Sequence, residues 1–288
     1  MQKTTRIVQI FVSLLTLTLI SVPAASAQKD KPTEIKSIKT AYTLYSDIAY
    51  VPNADKLQKL DIYAPKGEAP KGGWPVYFYV HGGGFVRGDK AEEGPSLTAA
   101  KLALDHGYVM VSVNYRLGAK LNNEQVVDVK AAIRYIKANA AKWNLNKDCF
   151  IIGGPSAGGG LAAMAGVTAN SDKYEKELLA IGAADAKDDV LAVVDYAGNV
   201  NRGEGYQDTN VNLYIDAKDP AFFIRHGSAD KNVAPALSIV LASALEKAGV
   251  KVDFKIIQGA EHTLEGMNFY NLFDANEAYI WLKRIMNK

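Results

Sequence analysis

Gly154-Pro155-Ser156-Ala157-Gly158 is the stretch of this chain best suited to covalent chemistry. The apolar run Cys149-Phe150-Ile151-Ile152 leads into it, and Gly159-Gly160-Leu161-Ala162-Ala163-Met164, able to open a helix, follows it. A serine between glycines at a strand-to-helix turn occupies a backbone too tight for bulky neighbours, and the strain lifts its hydroxyl toward a substrate. Upstream, after the apolar run at 76–80, stands His81-Gly82-Gly83-Gly84. Glycines there leave backbone N–H groups bare and able to approach a substrate oxygen. A nucleophilic serine and a bare N–H loop are the two halves of acyl transfer, in which a carbonyl oxygen becomes an oxyanion.

A serine hydroxyl needs a histidine base, and the base needs a carboxylate to fix its tautomer and stabilise its charged form. The two motifs together imply the α/β-hydrolase fold, in which these groups follow in the order Ser, acid, His. Of four histidines, His81 and His106 precede the serine and fail that order. His226 closes a strand in a His-Gly turn. His262 follows the last strand, where the base belongs, and is the expected base. Asp230, in the loop after the preceding strand, is the expected acid. Asp253 lies inside the last strand, and Asp216 and Asp219 precede a strand at the edge away from the site. Asp195, at a strand end, is the rival acid.

The elements that must position these groups alternate along the chain. Strands are expected at residues 57–63, 76–80, 109–115, 149–152, 190–194, 221–224 and 250–257. Helices are expected at 97–105, 126–143, 236–248 and 269–286, the second from Val126, Val129, Ile133 and Ile136 at helical spacing. Continuous apolar strands alternating with helices predict a mostly parallel central sheet covered by helices on both faces. The polar insertion at 198–220 is too short for a multi-helix lid, so the cap is expected to be minimal.

His81-Gly82-Gly83-Gly84-Phe85, Gly154-Pro155-Ser156-Ala157-Gly158-Gly159 and His226-Gly227-Ser228-Ala229-Asp230 resemble the hormone-sensitive-lipase-like carboxylesterases. Closer still is the branch of small secreted bacterial esterases related to feruloyl and acetyl-xylan esterases. Pro155, where the core group carries an acidic residue, fits that branch. The resemblance implies oxyanion donors at the N–H groups of Gly83, Gly84 and Ala157, a structural role for His81 in pinning the glycine loop, and no metal or organic cofactor. It implies a secreted serine carboxylesterase, and the short polar insertion at 198–220, leaving an open site, adds the expectation of short-chain (acetyl to butyryl) or feruloyl esters, small or polysaccharide-linked. A serine exopeptidase of the prolyl-peptidase kind and a catalytically silent binding module are the alternatives.

Residues 1–27 read as a signal peptide: Lys3 and Arg6 precede a mostly apolar run, and Ala25-Ser26-Ala27 is a small-x-small cleavage pattern. Residues 28–41 read as a tether and 42–288 as the catalytic domain, so export to the periplasm or medium is expected, without stable membrane association after cleavage. Cys149 is the one cysteine, which excludes an intramolecular disulfide and a lipidated cysteine at the cleavage site. The formal charge of +2, from 33 basic and 31 acidic residues, gives no basic field for nucleic acid. Trp74, Trp143 and Trp281 read as core or rim, Asp128 as a partner for a nearby loop, and Arg116 as one half of an ion pair below the site. Asp185, Asp188 and Asp189 read as a solvated turn rather than a calcium site, since no Gly-bearing ligand loop surrounds them.

Overall fold

Apolar residues dominate both faces of the central strands, and the computed structural model sandwiches them between helices. It describes residues 41–288 except 93, 119–122, 170, 201–208, 263–271 and 287–288. The expected signal peptide, most of the tether and the middle of the polar insertion therefore lie outside the described residues, as does the start of the closing helix. All described residues belong to one unit, Pro32–Lys288.

The strands are β1 (Tyr42–Ala49), β2 (Lys59–Pro65), β3 (Trp74–Val80), β4 (Val109–Val113), β5 (Leu145–Pro155), β6 (Ala192–Tyr196), β7 (Ala221–Gly227) and β8 (Val252–Ile257). They form one sheet in the order β1-β2-β4-β3-β5-β6-β7-β8. β2 runs antiparallel to both neighbours, and every pairing from β4 to β8 is parallel. The helices are α1 (Pro95–Asp105), α2 (Asn123–Ala138), α3 (Ala157–Val167), α4 (Glu175–Ala180), α5 (Ala236–Lys247) and α6 (Leu272–Met286). The mostly parallel sheet and the α/β-hydrolase architecture expected from the sequence are what the chain adopts.

Side-chain alternation divides the core in two. Val76, Phe78 and Val80 of β3 join Val109, Val111 and Val113 of β4 in a cluster with α2, α3 and α5. Tyr77, Tyr79 and Met110 point the other way, into a cluster with α1 and α6. β3 and β4 thus bury both faces, which is why they read as unbroken apolar runs. Among the described residues no helix is long and apolar enough to cross a membrane.

Several expectations shift. The helix expected over 126–143 ends at Ala138; Asn139 starts a break, Ala140–Trp143 continue as a 3-10 turn, and Asn144 adopts a left-handed φ of 53° before β5. The strand placed at 190–194 lies two residues later, so Asp195 is inside β6 rather than at its end. β1 was not anticipated: its residues are mostly exposed or half-buried, so it carries no core-facing pattern. Asp188 overturns the solvated-turn reading. It is fully buried, with Lys130 Nζ at 3.2 Å and Arg134 Nε at 2.9 Å. Lys130 and Arg134 stand four residues apart on α2, so they share the face that receives this carboxylate. Lys137, one turn further along, pairs with Asp189 at 2.8 Å. Asp128 and Arg116 pair as expected, Nε to Oδ2 at 2.9 Å, and Asp128 also accepts from Gln58.

Candidate active site

Ser156 sits between the end of β5 and the first residue of α3 with φ 55° and ψ −118°, a conformation L-residues avoid. The turn is possible because its neighbours lack side chains: a Cβ on either Gly154 or Gly158 would lie 2.0 Å from the Val80 carbonyl oxygen. Packing against β3 this closely fixes the elbow, and the Ser156 N–H donates to the Tyr196 carbonyl at 2.8 Å.

The loops after β7 and β8 bring the other two groups to it. His262 Nε2 lies 2.8 Å from Ser156 Oγ, and His262 Nδ1 lies 2.6 Å from Asp230 Oδ2. The other Asp230 oxygen, Oδ1, accepts the N–H groups of Asn232 and Val233 at 2.8 and 2.9 Å. Burial works to raise the Asp230 carboxyl, but these N–H donors and His262 outweigh it and hold it below the usual carboxylate value. Asp230 therefore stays ionised and presents its negative charge to His262. The two loops are stapled together: Ser228 Oγ accepts from Gly259 N at 2.8 Å, and Ala229 N donates to the Ala260 carbonyl at 2.9 Å.

The glycine loop leaves β3 beside this array. A Cβ on Gly82 would lie 3.7 Å from the Ser156 Cβ. Gly83, at φ 102°, is wrapped so tightly that a Cβ would sit 2.1 Å from the Arg87 carbonyl oxygen; only glycine fits. The Gly83 carbonyl accepts from Val86 and Arg87. Among the described residues no acceptor engages the N–H groups of Gly83, Gly84 or Ala157. His81 stacks on Tyr115 with ring centroids 4.3 Å apart, and the Tyr115 hydroxyl donates to the His81 carbonyl at 2.9 Å. Burial pushes the His81 imidazole below its usual value, so it stays neutral beneath the loop.

Thus the structure brings together Ser156, His262 and Asp230, with the Gly82–Gly84 loop at their side. It leaves out the rival Asp195. That side chain is fully buried on β6, and among the described residues neither oxygen has a hydrogen-bond partner of good geometry and neither meets His262. Sequence reasoning missed a second partner of Asp230: His226 Nε2 lies 3.0 Å from Asp230 Oδ2. Its position four residues before the acid was visible, but spacing in a loop does not translate into contact as it does on a helix. Among the described residues no group of three His, Cys, Asp or Glu side chains could hold a metal.

The BD-FAE family model matches residues 60–212, more than half of the chain. The chain belongs to the BD-FAE family. The match runs from β2 through the glycine loop and the serine elbow into the polar insertion, and stops before Asp230 and His262. Esterase LipC of Mycobacterium tuberculosis is 35% identical over 125 residues, 43% of this chain and 30% of LipC. The chain thus spans less than a third of LipC. Among solved structures, a truncated carbohydrate esterase from gut microbiota superposes with a TM-score of 0.76 at 24% identity, covering 88% of this chain and 99% of that one. A bifunctional GH43-CE protein of Bacteroides eggerthii gives a TM-score of 0.69 at 28% identity, covering 84% of this chain and 35% of that one. The fold of these two structures is therefore shared along most of this chain.

Proposed function

We propose that this chain is a serine carboxylesterase. The observation that carries the reading is the unbroken hydrogen-bonded line from Ser156 Oγ through His262 to Asp230 at a strand-to-helix elbow. In this reading His262 Nε2 takes the Ser156 proton as Oγ forms a bond to the ester carbonyl carbon. The carbonyl oxygen turns negative and meets the open N–H groups of Gly83, Gly84 and Ala157. The C–O bond to the alcohol then breaks, and His262 returns the proton to the leaving oxygen. Water, deprotonated by His262, attacks the acyl-enzyme and frees the acid and Ser156. Asp230 holds the His262 tautomer and stabilises its charged form. Membership of BD-FAE and the esterase name of LipC support the same activity.

The substrate reading is short acyl esters, acetyl to butyryl, or feruloyl esters, including those carried on plant polysaccharides. Its support is compositional. The insertion at 198–220 contains Asn199, Asn201, Arg202, Glu204, Gln207, Asp208 and Asn210, of which those at 201–208 lie outside the described residues. Such a run is too short for a multi-helix lid, and of its described apolar residues Val200 and Val211 are buried while Leu213 is exposed; a segment this polar favours a site open to a bulky hydrated alcohol over one built for an oil interface. The leader-like first 27 residues support export, where such a substrate would be met.

The test is a panel of 4-nitrophenyl esters, feruloyl esters and aminoacyl anilides with wild-type protein and Ser156→Ala. Ester turnover in the variant should fall on the order of 10⁴-fold or more with the fold intact. Wild-type kcat/KM should fall steeply from four to ten acyl carbons. Anilide cleavage exceeding ester cleavage would turn the reading to a peptidase, and near-wild-type turnover by the alanine variant would defeat it.

A further inference from the structure

Asp230 Oδ2 serves two imidazoles. His262 Nδ1 stands at 2.6 Å, and His226 Nε2 at 3.0 Å. The same His226 nitrogen also faces the Val233 carbonyl at 3.0 Å, while His226 Nδ1 lies 2.7 Å from Ser238 Oγ. These partners assign the tautomer. Nε2 faces two acceptors, so it carries the hydrogen; Nδ1 faces a hydroxyl, so it accepts. Ser238, His226 and the Asp230 carboxylate are all fully buried, so no substrate reaches this second Ser–His pair and it is not a second active site. We propose that His226 is a positioning residue for Asp230, forming with Ser238 a second arm on the carboxylate oxygen that serves His262. The inference rests on the esterase reading above and deepens it.

Two consequences follow from this five-membered line, Ser238–His226–Asp230–His262–Ser156. First, the carboxylate is held from every side. Oδ1 takes two backbone N–H groups and Oδ2 takes two imidazole N–H groups, so neither rotation of the carboxyl nor its protonation is available without breaking a bond. Second, His226 withdraws part of the Oδ2 charge from His262. Among the described residues the ionisable groups acting on His226 are Asp230 and His262. Its partner on β8 is the apolar Ile256, and its partner from α5 is the Ser238 hydroxyl. Burial lowers the His226 imidazole from its usual value, in keeping with a neutral donor. The charge on Asp230 Oδ2 is thus divided between the two imidazoles.

The experiment compares His226→Leu and His226→Gln with wild-type protein, each normalised to competent sites counted with an aryl phosphonate. His226→Leu removes the donor and should lower kcat per competent site roughly 10- to 100-fold. It should also move the acid limb of the kcat/KM profile to higher pH by about half a unit to one unit, because undivided carboxylate charge favours protonated His262. His226→Gln keeps an N–H at about the reach of Nε2 and should restore the limb and most of the turnover. A merely structural role would lower the count of competent sites and leave the limb in place. In wild-type protein, nitrogen NMR of the imidazoles should find His226 neutral with its hydrogen on Nε2. That measurement decides alone if the leucine variant does not fold, and a hydrogen on Nδ1 overturns the inference. An unmoved acid limb in His226→Leu, with Ser156→Ala inactive, overturns the inference only. Retained turnover in Ser156→Ala overturns the esterase reading beneath it.

Discussion

Replacing Asp195 by asparagine should make the protein more stable above neutral pH and leave it nearly unchanged near pH 4. Asp195 stands on β6 between Gly154 of β5 and Ile224 of β7. Its carboxyl is pressed between the first turn of α3 and the backbone after β6: a Cβ on Gly159 or on Gly198 would lie 2.3 Å from Oδ1. Burial pushes the carboxyl up to about 7, and the Gly198 N–H nearby draws it back only in part. In the unfolded chain the same group titrates near 3.8. From pH 4 to 7, then, the folded state keeps a proton that the unfolded state has released. Wild-type stability falls through this window as pH rises and holds its reduced value above it. About three units at 1.36 kcal/mol each puts the loss on the order of 4 kcal/mol. For a domain of this size that corresponds to a Tm difference of roughly 10 °C. Asparagine keeps the shape and never ionises, so it escapes the loss.

The assay is a pair of thermal melts, wild type and Asp195→Asn, at each pH from 4 to 8. Taking the difference cancels groups common to both, including Asp219, which burial pushes up to about 6. The difference should be small at pH 4, grow through pH 6 and level off beyond 7. A flat difference, or one that shrinks with pH, would refute the picture of a carboxyl confined where its charge is unpaired. Ester turnover per molecule should stay within a few-fold of wild type, because Asp195 bonds to neither His262 nor Ser156.

Other perturbations test the site more directly. Asp230→Asn must turn an amide N–H either toward the Asn232 and Val233 N–H groups or toward the two imidazoles, and turnover should fall 10³- to 10⁴-fold; activity within tenfold of wild type would remove the acid from the mechanism. Gly158→Ala forces a Cβ to within 2.0 Å of the Val80 carbonyl, and should lower the Tm and abolish turnover together, with a wild-type melt counting against the close packing of the elbow. Prolonged dialysis against EDTA should leave ester turnover unchanged; loss that a divalent cation restores would place a metal in the reaction.

What was legible in the sequence follows from which residues had their environment dictated locally. The serine elbow is a local object: strand, glycines and helix are contiguous, and the backbone constraint is written in the glycines themselves. The order Ser156, Asp230, His262 was legible because a parallel sheet delivers loops to one edge in sequence, so each loop needs a single suitable side chain. The edge strand β1 was not, because half-buried and exposed residues lack the alternation that marks a strand with one face in a core. Nor was the break after Ala138, where apolar residues run on at helical spacing while Asn144 turns left-handed.

Buried polar groups were the harder class, since their partners lie far away in sequence. Asp188 looked like one of three exposed aspartates, yet α2 carried the signal against this: Lys130, Arg134 and Lys137 recur one turn apart on a helix that also buries Val126, Val129 and Ile133. Cations on a buried face demand a counter-charge, and the loop at 185–189 was the acidic segment free to supply it. His226 illustrates the same limit at the site. Chain order asks of each histidine only whether it can be the base, and His226, at the end of β7, does not stand where the base belongs. Only the packing of α5, which sets Ser238 against its far nitrogen, makes that histidine a donor to the acid. A triad can be read from chain order, but the groups that hold its acid in place are fixed by contacts across the fold.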